Sequence, residues 1–176
     1  MSQKIIPIIR RASPGDADLL AALGARTFYD SFASDNKAES IASYLAESFG
    51  PEIQAAELAD PSVTLFVAEH DEIAIGYAQL RVEATPDCVS GLNPIHLVRI
   101  YVTRDWIGHG VGEALLNTCI EEAKTSGRRI MWLGVWKKNL RAQTFYRKHD
   151  FRIVGERVFR LGADNQVDWI MERTLQ

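Results

Sequence analysis

The order of two hydrophobic periods along the chain is the feature that most limits its fold. Ile5–Arg10 is predicted as a first strand, and helical spacing then extends from Ser13 to about Asp60. A period of two, typical of strands, next covers Val63–Glu69 and Ile73–Val82, which a short turn joins as a hairpin. Two strand–helix units and two closing strands follow. Strands joined both by hairpins and by helices predict an α/β fold, a single domain with a mixed, mostly antiparallel β-sheet flanked by helices.

The second half of the chain contains the two strand–helix units. The first joins the strand Ile95–Val102 to a helix over residues 110–126, and the second joins Arg129–Trp136 to the helix Leu140–His149. The closing strands are Ile153–Phe159 and Asp168–Thr174. A strand that is followed by a helix and a further strand favours parallel pairing, with the helix lying on a face of the sheet.

Three alternating glycines, Gly108, Gly110 and Gly112, connect the strand and the helix of the first unit. The first N–H groups of a helix lack intrahelical partners and carry partial positive charge, so a phosphate can bind there where no Cβ blocks its approach. Position 113 is Glu113, which excludes a Rossmann G-x-G-x-x-G fingerprint, and the Walker pattern is absent. The glycines alone fit a phosphate-binding turn and a close-packed turn comparably well.

Composition excludes several classes of function. Of the 176 residues, 47% are hydrophobic and 24% are charged, and the net charge of −3 gives no footprint for nucleic acid. No apolar run approaches a membrane span, and no signal peptide is visible. The two cysteines, Cys88 and Cys119, lack the spacing of metal ligands. We therefore expect a cytoplasmic protein that uses no metal and contacts neither membrane nor nucleic acid.

Two motifs resemble those of the GNAT family of N-acetyltransferases. After the central strand, which ends in Arg99-Ile100-Tyr101-Val102, comes the acetyl-CoA motif of that family, here Trp106-Ile107-Gly108-His109-Gly110-Val111-Gly112. The second motif, N-x-x-A-x-x-F-Y, occurs as Asn139-Leu140-Arg141-Ala142-Gln143-Thr144-Phe145-Tyr146. Their order and separation are those of the family. The resemblance implies a GNAT-like fold, acetyl-CoA as co-substrate and transfer of an acetyl group to an amine.

A narrower resemblance points to the PaiA-type bacterial polyamine acetyltransferases. It rests on the His-Gly-x-Gly form of the turn and on the segments Thr27–Phe32 and Trp132–Trp136, and it extends from about Ile8 to Leu175. It implies that residues 1–176 form one acetyltransferase domain, with acceptor-side helices over about 27–60 and an acetyl-CoA-binding core over 95–150. The acceptor implied is a primary amine on a small molecule, such as a polyamine. Homodimers are common in the family, and the sequence leaves the oligomeric state open.

The resemblance also assigns residues to the co-substrate. The pantetheine arm would pair like a strand with the end of the central strand, and the pyrophosphate would lie on the glycine turn. A backbone N–H near Tyr101 or Val102 would stabilise the oxyanion, and Asn139 would hold the pantetheine or a water. The complete set implied is Ile100, Tyr101, Val102, Ile107, Gly108, His109, Gly110, Val111, Gly112, Asn139, Ala142, Phe145 and Tyr146.

Catalysis requires a group that protonates the departing thiolate and a group that frees the amine of its proton. The family assigns the first role to the motif tyrosine, here Tyr146; tyrosine at helical spacing with Ala142 and Phe145 is also typical of a core. The acidic residues usual on the central strand are replaced by His96 and Val98, so His96 is the candidate base, with a half-buried structural histidine as the alternative. Ile107 replaces the Gln or Arg of the family, which leaves phosphate binding to backbone N–H groups.

Aromatic residues of the first helix are the candidates for contact with the acceptor. Tyr29 and Phe32 are assigned to the acceptor pocket, and packing in the core is the alternative for both. Three hypotheses follow for the activity. The first is an acetyl-CoA-dependent N-acetyltransferase acting on a small amine by direct attack in a ternary complex; the others are a non-catalytic acyl-CoA-binding regulator and a peptide or protein N-acetyltransferase.

Overall fold

The computed structural model describes residues 4–176, in which five α-helices and seven strands are formed. The helices are α1 (Ala17–Phe32), α2 (Ala38–Ser48), α3 (Pro51–Ala59), α4 (Val111–Thr125) and α5 (Leu140–Lys148). The strands are β1 (Ile8–Arg11), β2 (Val63–His70), β3 (Ile73–Arg81), β4 (Pro94–Val102), β5 (Ile130–Trp136), β6 (Arg152–Leu161) and β7 (Asp164–Thr174).

The seven strands form one sheet in the order β1-β2-β3-β4-β5-β7-β6. Only the central pair, β4 with β5, is parallel, and the remaining neighbours are antiparallel. The predicted fold class, a mixed and mostly antiparallel sheet flanked by helices, is confirmed. β1 starts later than predicted: Ile5 donates its N–H to the carbonyl of His109 instead of pairing with β2, and Pro7 has no N–H to contribute to a ladder.

The two central strands separate soon after they meet. Only Pro94–His96 pair with Ile130–Trp132, at the start of each strand. A β-bulge on β4 then shifts the register, since Leu97 lies opposite Leu80 whereas Arg99 lies opposite Gln79. The remaining halves of β4 and β5 diverge, which opens a cleft in the middle of the sheet.

Hydrophobic side chains cover the two faces of the sheet separately. Against one face, α4 packs the apolar stripe Val111, Leu115, Leu116, Cys119 and Ala123, all of them almost inaccessible to solvent. Against the other face, α1 and α2 pack Leu20, Leu23, Phe28 and Ile41. Because a strand alternates its side chains, β4 and β5 contribute to both sides: Leu97 and Met131 belong to the α4 core, and Tyr101 packs against the other core. No helix within residues 4–176 combines the length and the apolar character needed to cross a membrane.

Candidate active site

The free edge of β4 forms one wall of the cleft. Thr103 donates its N–H to the carbonyl of Ile75 on β3, so the alternation of an antiparallel ladder directs the backbone groups of Tyr101 toward β3 as well. The N–H and C=O groups of Ile100 and Val102 therefore point the other way, into the cleft. Unpaired strand groups of this kind can hydrogen-bond an extended ligand.

The glycine turn leads from this wall into helix α4. Gly108 and Gly110 have φ of +86° and +90°, a left-handed conformation that costs other residues energy. The helical ladder begins where Ala114 donates to the carbonyl of Gly110, so the N–H groups of residues 111–113 precede it. A Cβ built at Gly108 would meet no atom within 4 Å, so the space beside the turn is open. The turn has the geometry of an anion-binding helix start.

Ile107 and His109, which are also assigned to the turn, have different surroundings. Ile107 lines an open groove of about 440 Å³ beside the turn, together with the basic residues Arg104, Lys138 and Arg141. His109 accepts a hydrogen bond from Ile5 through its backbone carbonyl, and its ring lies edge-on to Trp106. His109 is not among the residues that line the groove.

Helix α5 brings the second motif to the opposite wall. Asn139 caps the helix, because its Oδ1 accepts the N–H of Ala142 at 3.1 Å, and its side-chain amide still has two hydrogens to donate. Ala142 and Tyr146 line the cleft. Phe145 lies beneath Gly112, where an added Cβ would be 3.8 Å from its ring.

Tyr146 is 8% exposed, and what remains accessible lines the cleft. Burial raises the pKa of its phenol well above the ordinary value, because the charged phenolate would be poorly solvated there. Tyr146 is therefore protonated at neutral pH and can donate a hydrogen bond or a proton.

His96 lies apart from the groups described so far. It is 4% exposed and stacks on Trp132 with ring centroids 3.7 Å apart, at the narrow end where β4 and β5 still pair. Its Nδ1 contacts the carboxylate of Glu83, while its Nε2 is buried without a hydrogen-bond partner among the described residues. Burial lowers the pKa of the imidazole, although Glu83 opposes the change. The structure does not bring His96 to the cleft lining, where the base role would require it to be.

Aromatic residues line much of the cleft, which has a volume of about 170 Å³. Phe32 is one of them, whereas Tyr29 is 56% exposed and lies outside the lining. The aromatic lining consists of Phe28, Phe32, Tyr44, Tyr101, Trp136, Tyr146 and Phe159. The rings of Phe28 and Tyr44 stack with centroids 4.4 Å apart. Besides Asn139, four residues with charged or amide side chains line the cleft: Arg99, Arg157, Gln166 and Asp168.

Sequence reasoning did not single out these four polar residues or Tyr44. Arg99 is held by Glu57 at 3.2 Å and by Gln79 at 3.0 Å, so its charge is compensated. Asp168 is a carboxylate inside the strand predicted over Asp168–Thr174, where a period-two pattern places it on one face of the sheet. That pattern could have marked it as unusual, but only the register of β5, β6 and β7 shows that its face borders the cleft.

Comparison with known proteins identifies the family. The sequence model described as "Acetyltransferase (GNAT) family" matches residues 26–151, which include strands β4 and β5, the glycine turn and helix α5. The chain belongs to the GNAT family.

Relatives of this GNAT protein carry the same general name. An uncharacterized N-acetyltransferase of Mycobacterium tuberculosis is 37% identical over 160 residues, which cover 91% of this chain and 98% of the relative. Another, from Lactobacillus delbrueckii subsp. lactis, is 28% identical over 95% of this chain and 96% of its own length. The chain is therefore an N-acetyltransferase, as its sequence predicted.

Solved GNAT structures reproduce the fold across nearly the whole chain. The PaiA N-acetyltransferase of Thermoplasma acidophilum, solved in complex with coenzyme A, superposes with a TM-score of 0.79 and is 22% identical over 97% of this chain and 99% of its own. A GNAT protein from Rhodopseudomonas palustris gives a TM-score of 0.78 at 19% identity, over 98% of each chain. At these identities the likeness establishes the fold.

Acetyl-CoA is accordingly the co-substrate of this GNAT enzyme. The open space beside Gly108 and the free N–H groups at the start of α4 fit a pyrophosphate, and the unpaired edge at Ile100 and Val102 fits an amide-bearing arm. Within residues 4–176, no group of three or more His, Cys, Asp or Glu side chains could hold a metal ion.

Proposed function

We propose that this N-acetyltransferase acetylates a primary amine on a slender alkyl chain, with a polyamine as the leading candidate, by direct attack in a ternary complex with acetyl-CoA. The observation that carries the proposal is the junction of the two cavities. The groove beside the glycine turn and the aromatic cleft have Phe32, Trp136 and Asn139 in common, so two substrates bound in them would meet there.

The size and chemistry of the cleft favour a small cationic acceptor. A volume of about 170 Å³ is below the usual range for bulky ligands and is sufficient for an alkyl chain. Aromatic faces attract ammonium groups, and Phe28, Tyr44 and Tyr101 present such rings. The helices of residues 27–60 would form the acceptor side, and residues 95–150 would hold the co-substrate.

Direct attack is favoured over a covalent acyl-enzyme because the two cysteines are placed elsewhere. Cys119 is fully buried on α4 in the core, and Cys88 lies against Gly155. Neither lines the cleft. The amine nitrogen itself would then attack the thioester carbonyl. The backbone N–H of Ile100 or Val102 would stabilise the oxyanion, and the phenol of Tyr146 would protonate the departing thiolate.

An acceptor panel tests the proposal. Thiol release from acetyl-CoA would be measured with spermidine, spermine, a simple alkylamine and peptides with free N-termini. Turnover with the polyamines and the alkylamine is expected, with little or none for the peptides. Turnover of peptides alone would identify a peptide N-acetyltransferase, and calorimetric binding of acetyl-CoA without turnover of any amine would favour the acyl-CoA-binding regulator.

A further inference from the structure

Asp168 is the carboxylate of the acceptor cleft. It stands on β7 opposite Trp136 of β5 and Arg157 of β6, and it is 6% exposed. Both Asp168 and Tyr146 line the same cleft, Asp168 from the β7 wall and Tyr146 from helix α5. A buried carboxylate in a substrate cleft requires a partner, because desolvation of its charge is costly.

The carboxylate of Asp168 has a neighbouring cation in the protein, but that cation does not hydrogen-bond to it. Among residues 4–176, the cation within 4 Å of the carboxylate is Arg157, whose Nε lies 3.8 Å from Oδ2. That distance is too long for a hydrogen bond, and Arg157 Nε is itself buried without one. The end of the guanidinium lies instead over Gly134, where an added Cβ would be 2.5 Å from a terminal nitrogen. Asp168 thus retains acceptor capacity toward the cleft.

Other charged and titratable groups around the cleft are either engaged or neutral. Arg99 of β4 is paired with Glu57, and the phenols of Tyr101 and Tyr146 have raised pKa values, so they remain protonated at neutral pH. Tyr44 of α2, Asn139 at the start of α5 and Gln166 of β7 are the other polar side chains in the lining. Burial raises the pKa of Asp168 to about 6, and Arg157 limits the rise. The group is ionised at pH 7 and still accepts a proton more readily than an exposed aspartate.

We infer that Asp168 receives the ammonium group of the acceptor and takes one proton from it before attack. This inference rests on the proposed function and names the base that the sequence had assigned to His96. The ammonium R–NH₃⁺ gives a proton to the carboxylate and becomes R–NH₂. The nitrogen attacks the thioester carbonyl and forms a tetrahedral oxyanion, whose collapse breaks the C–S bond, and a second nitrogen proton passes through Tyr146 to the thiolate. Asp168 then releases its proton to solvent, which leaves R–NH–acetyl, CoA–SH and H⁺.

The test is the pH dependence of kcat/KM with the amine that the panel identifies. For the wild type we expect activity to fall as the pH drops below about 6. Asp168→Asn should lose activity by about 100-fold or more and lose this acidic limb. Glu156→Gln is the matched control, because Glu156 neighbours Arg157 on β6 but pairs at the surface with Lys137, and its profile should match the wild type.

Two further variants separate catalysis by Asp168 from a structural role. Arg157→Gln keeps the carboxylate of Asp168 and removes the cation beside it, which should raise the pKa of that carboxylate. The acidic limb should therefore move to higher pH although Asp168 itself is unchanged. His96→Gln should leave the limb in place. A limb that stays in Asp168→Asn and disappears in His96→Gln would overturn the inference in favour of His96. A limb that Arg157→Gln does not move would also overturn the assignment to Asp168.

Calorimetry distinguishes failure of this inference from failure of the proposed function. Spermidine would be titrated into the protein–CoA complex at about pH 8 and at about pH 5. Binding that weakens at the lower pH in the wild type but not in Asp168→Asn supports the assignment even if no amine is acetylated, in which case only the proposed function fails. Absence of binding, or binding that is the same in the two proteins at both pH values, overturns it.

Discussion

At the scale of single residues, burial sets the proton affinity of each group near the cleft. Desolvation raises the pKa of Tyr146 and of Asp168 and lowers that of His96. The first two line the cleft, so their altered proton affinities act where an amine and a thioester would meet. His96 is held between Glu83 and Trp132, outside the lining of the cleft.

Tyr146→Phe should lower kcat by about 10- to 100-fold, because it removes the proton donor for the thiolate and keeps the ring. The affinity for CoA, measured by calorimetry, should not change. Tyr29→Phe is the control, since Tyr29 is exposed and outside the lining, and its kcat and KM should match the wild type. Equal losses of CoA affinity and kcat in Tyr146→Phe would argue against a role as proton donor.

Asp168→Asn should stabilise the protein at about pH 8 by roughly 2 kcal/mol, measured by urea unfolding. The raised pKa of about 6 means that the ionised carboxylate costs stability above that pH. As the pH falls from about 6 toward 4, Asp168 is protonated in the folded state before it is protonated in the unfolded state. The difference in the free energy of unfolding between variant and wild type should therefore vanish over that range.

Asp164→Asn provides a control of opposite sign for that experiment. Ser40 and Lys37 lower the pKa of Asp164, so its charge stabilises the fold at neutral pH and the contribution is lost in acid. The variant should be less stable than the wild type at pH 7 and equal to it at low pH. The raised pKa of Asp168 would be contradicted if the free energies of unfolding of Asp168→Asn and of the wild type differed by the same amount at every pH.

At the scale of elements, the starts of helices α4 and α5 differ in how their first N–H groups are satisfied. Helix α4 begins at the glycine turn, and its first N–H groups have no partner among residues 4–176, whereas α5 begins at Asn139, whose side chain satisfies the N–H of Ala142. The difference has a physical reason. A helix start that binds an anion must remain uncapped, and one that only positions Tyr146 gains stability from a cap.

Gly108→Ala should weaken CoA binding by about tenfold and destabilise the fold by about 1–2 kcal/mol, because alanine disfavours φ of +86°. Gly127→Ala is the matched control. Gly127 has φ of +74° and equally open space around its Cβ position, but it follows α4 at the far end. Its stability loss should be similar and its CoA affinity normal. Equal affinities for CoA in both variants would exclude the turn from the binding site.

At the scale of the whole molecule, the two central strands of the sheet, β4 and β5, pair at one end and separate at the other. Three residue pairs join β4 to β5, while the two cores on opposite faces keep the strands in place. The separation leaves a central strand with a free edge, an arrangement that would otherwise invite strand pairing. Here α5 and the aromatic residues of the cleft lie beside that edge.

Binding of CoA should slow hydrogen exchange at residues 97–102, because the ligand supplies partners for the amides of Ile100 and Val102 that point into the cleft. Mass spectrometry of peptic peptides measures the change. Peptides from β2 serve as the control and should not respond, since both edges of β2 are paired with protein strands. Protection confined to other segments would contradict the pairing of CoA with β4.

The sequence alone determined the fold class, the order of elements, the glycine turn and the motif from Asn139 to Tyr146. These features are local, because hydrophobic period, helix-start chemistry and short motifs are encoded within a few residues. Only the tertiary structure decided where β4 and β5 separate, that Glu83 engages His96, and that Asp168 rather than His96 lines the cleft. Those outcomes depend on the register of β5, β6 and β7, which residues distant in sequence set through packing.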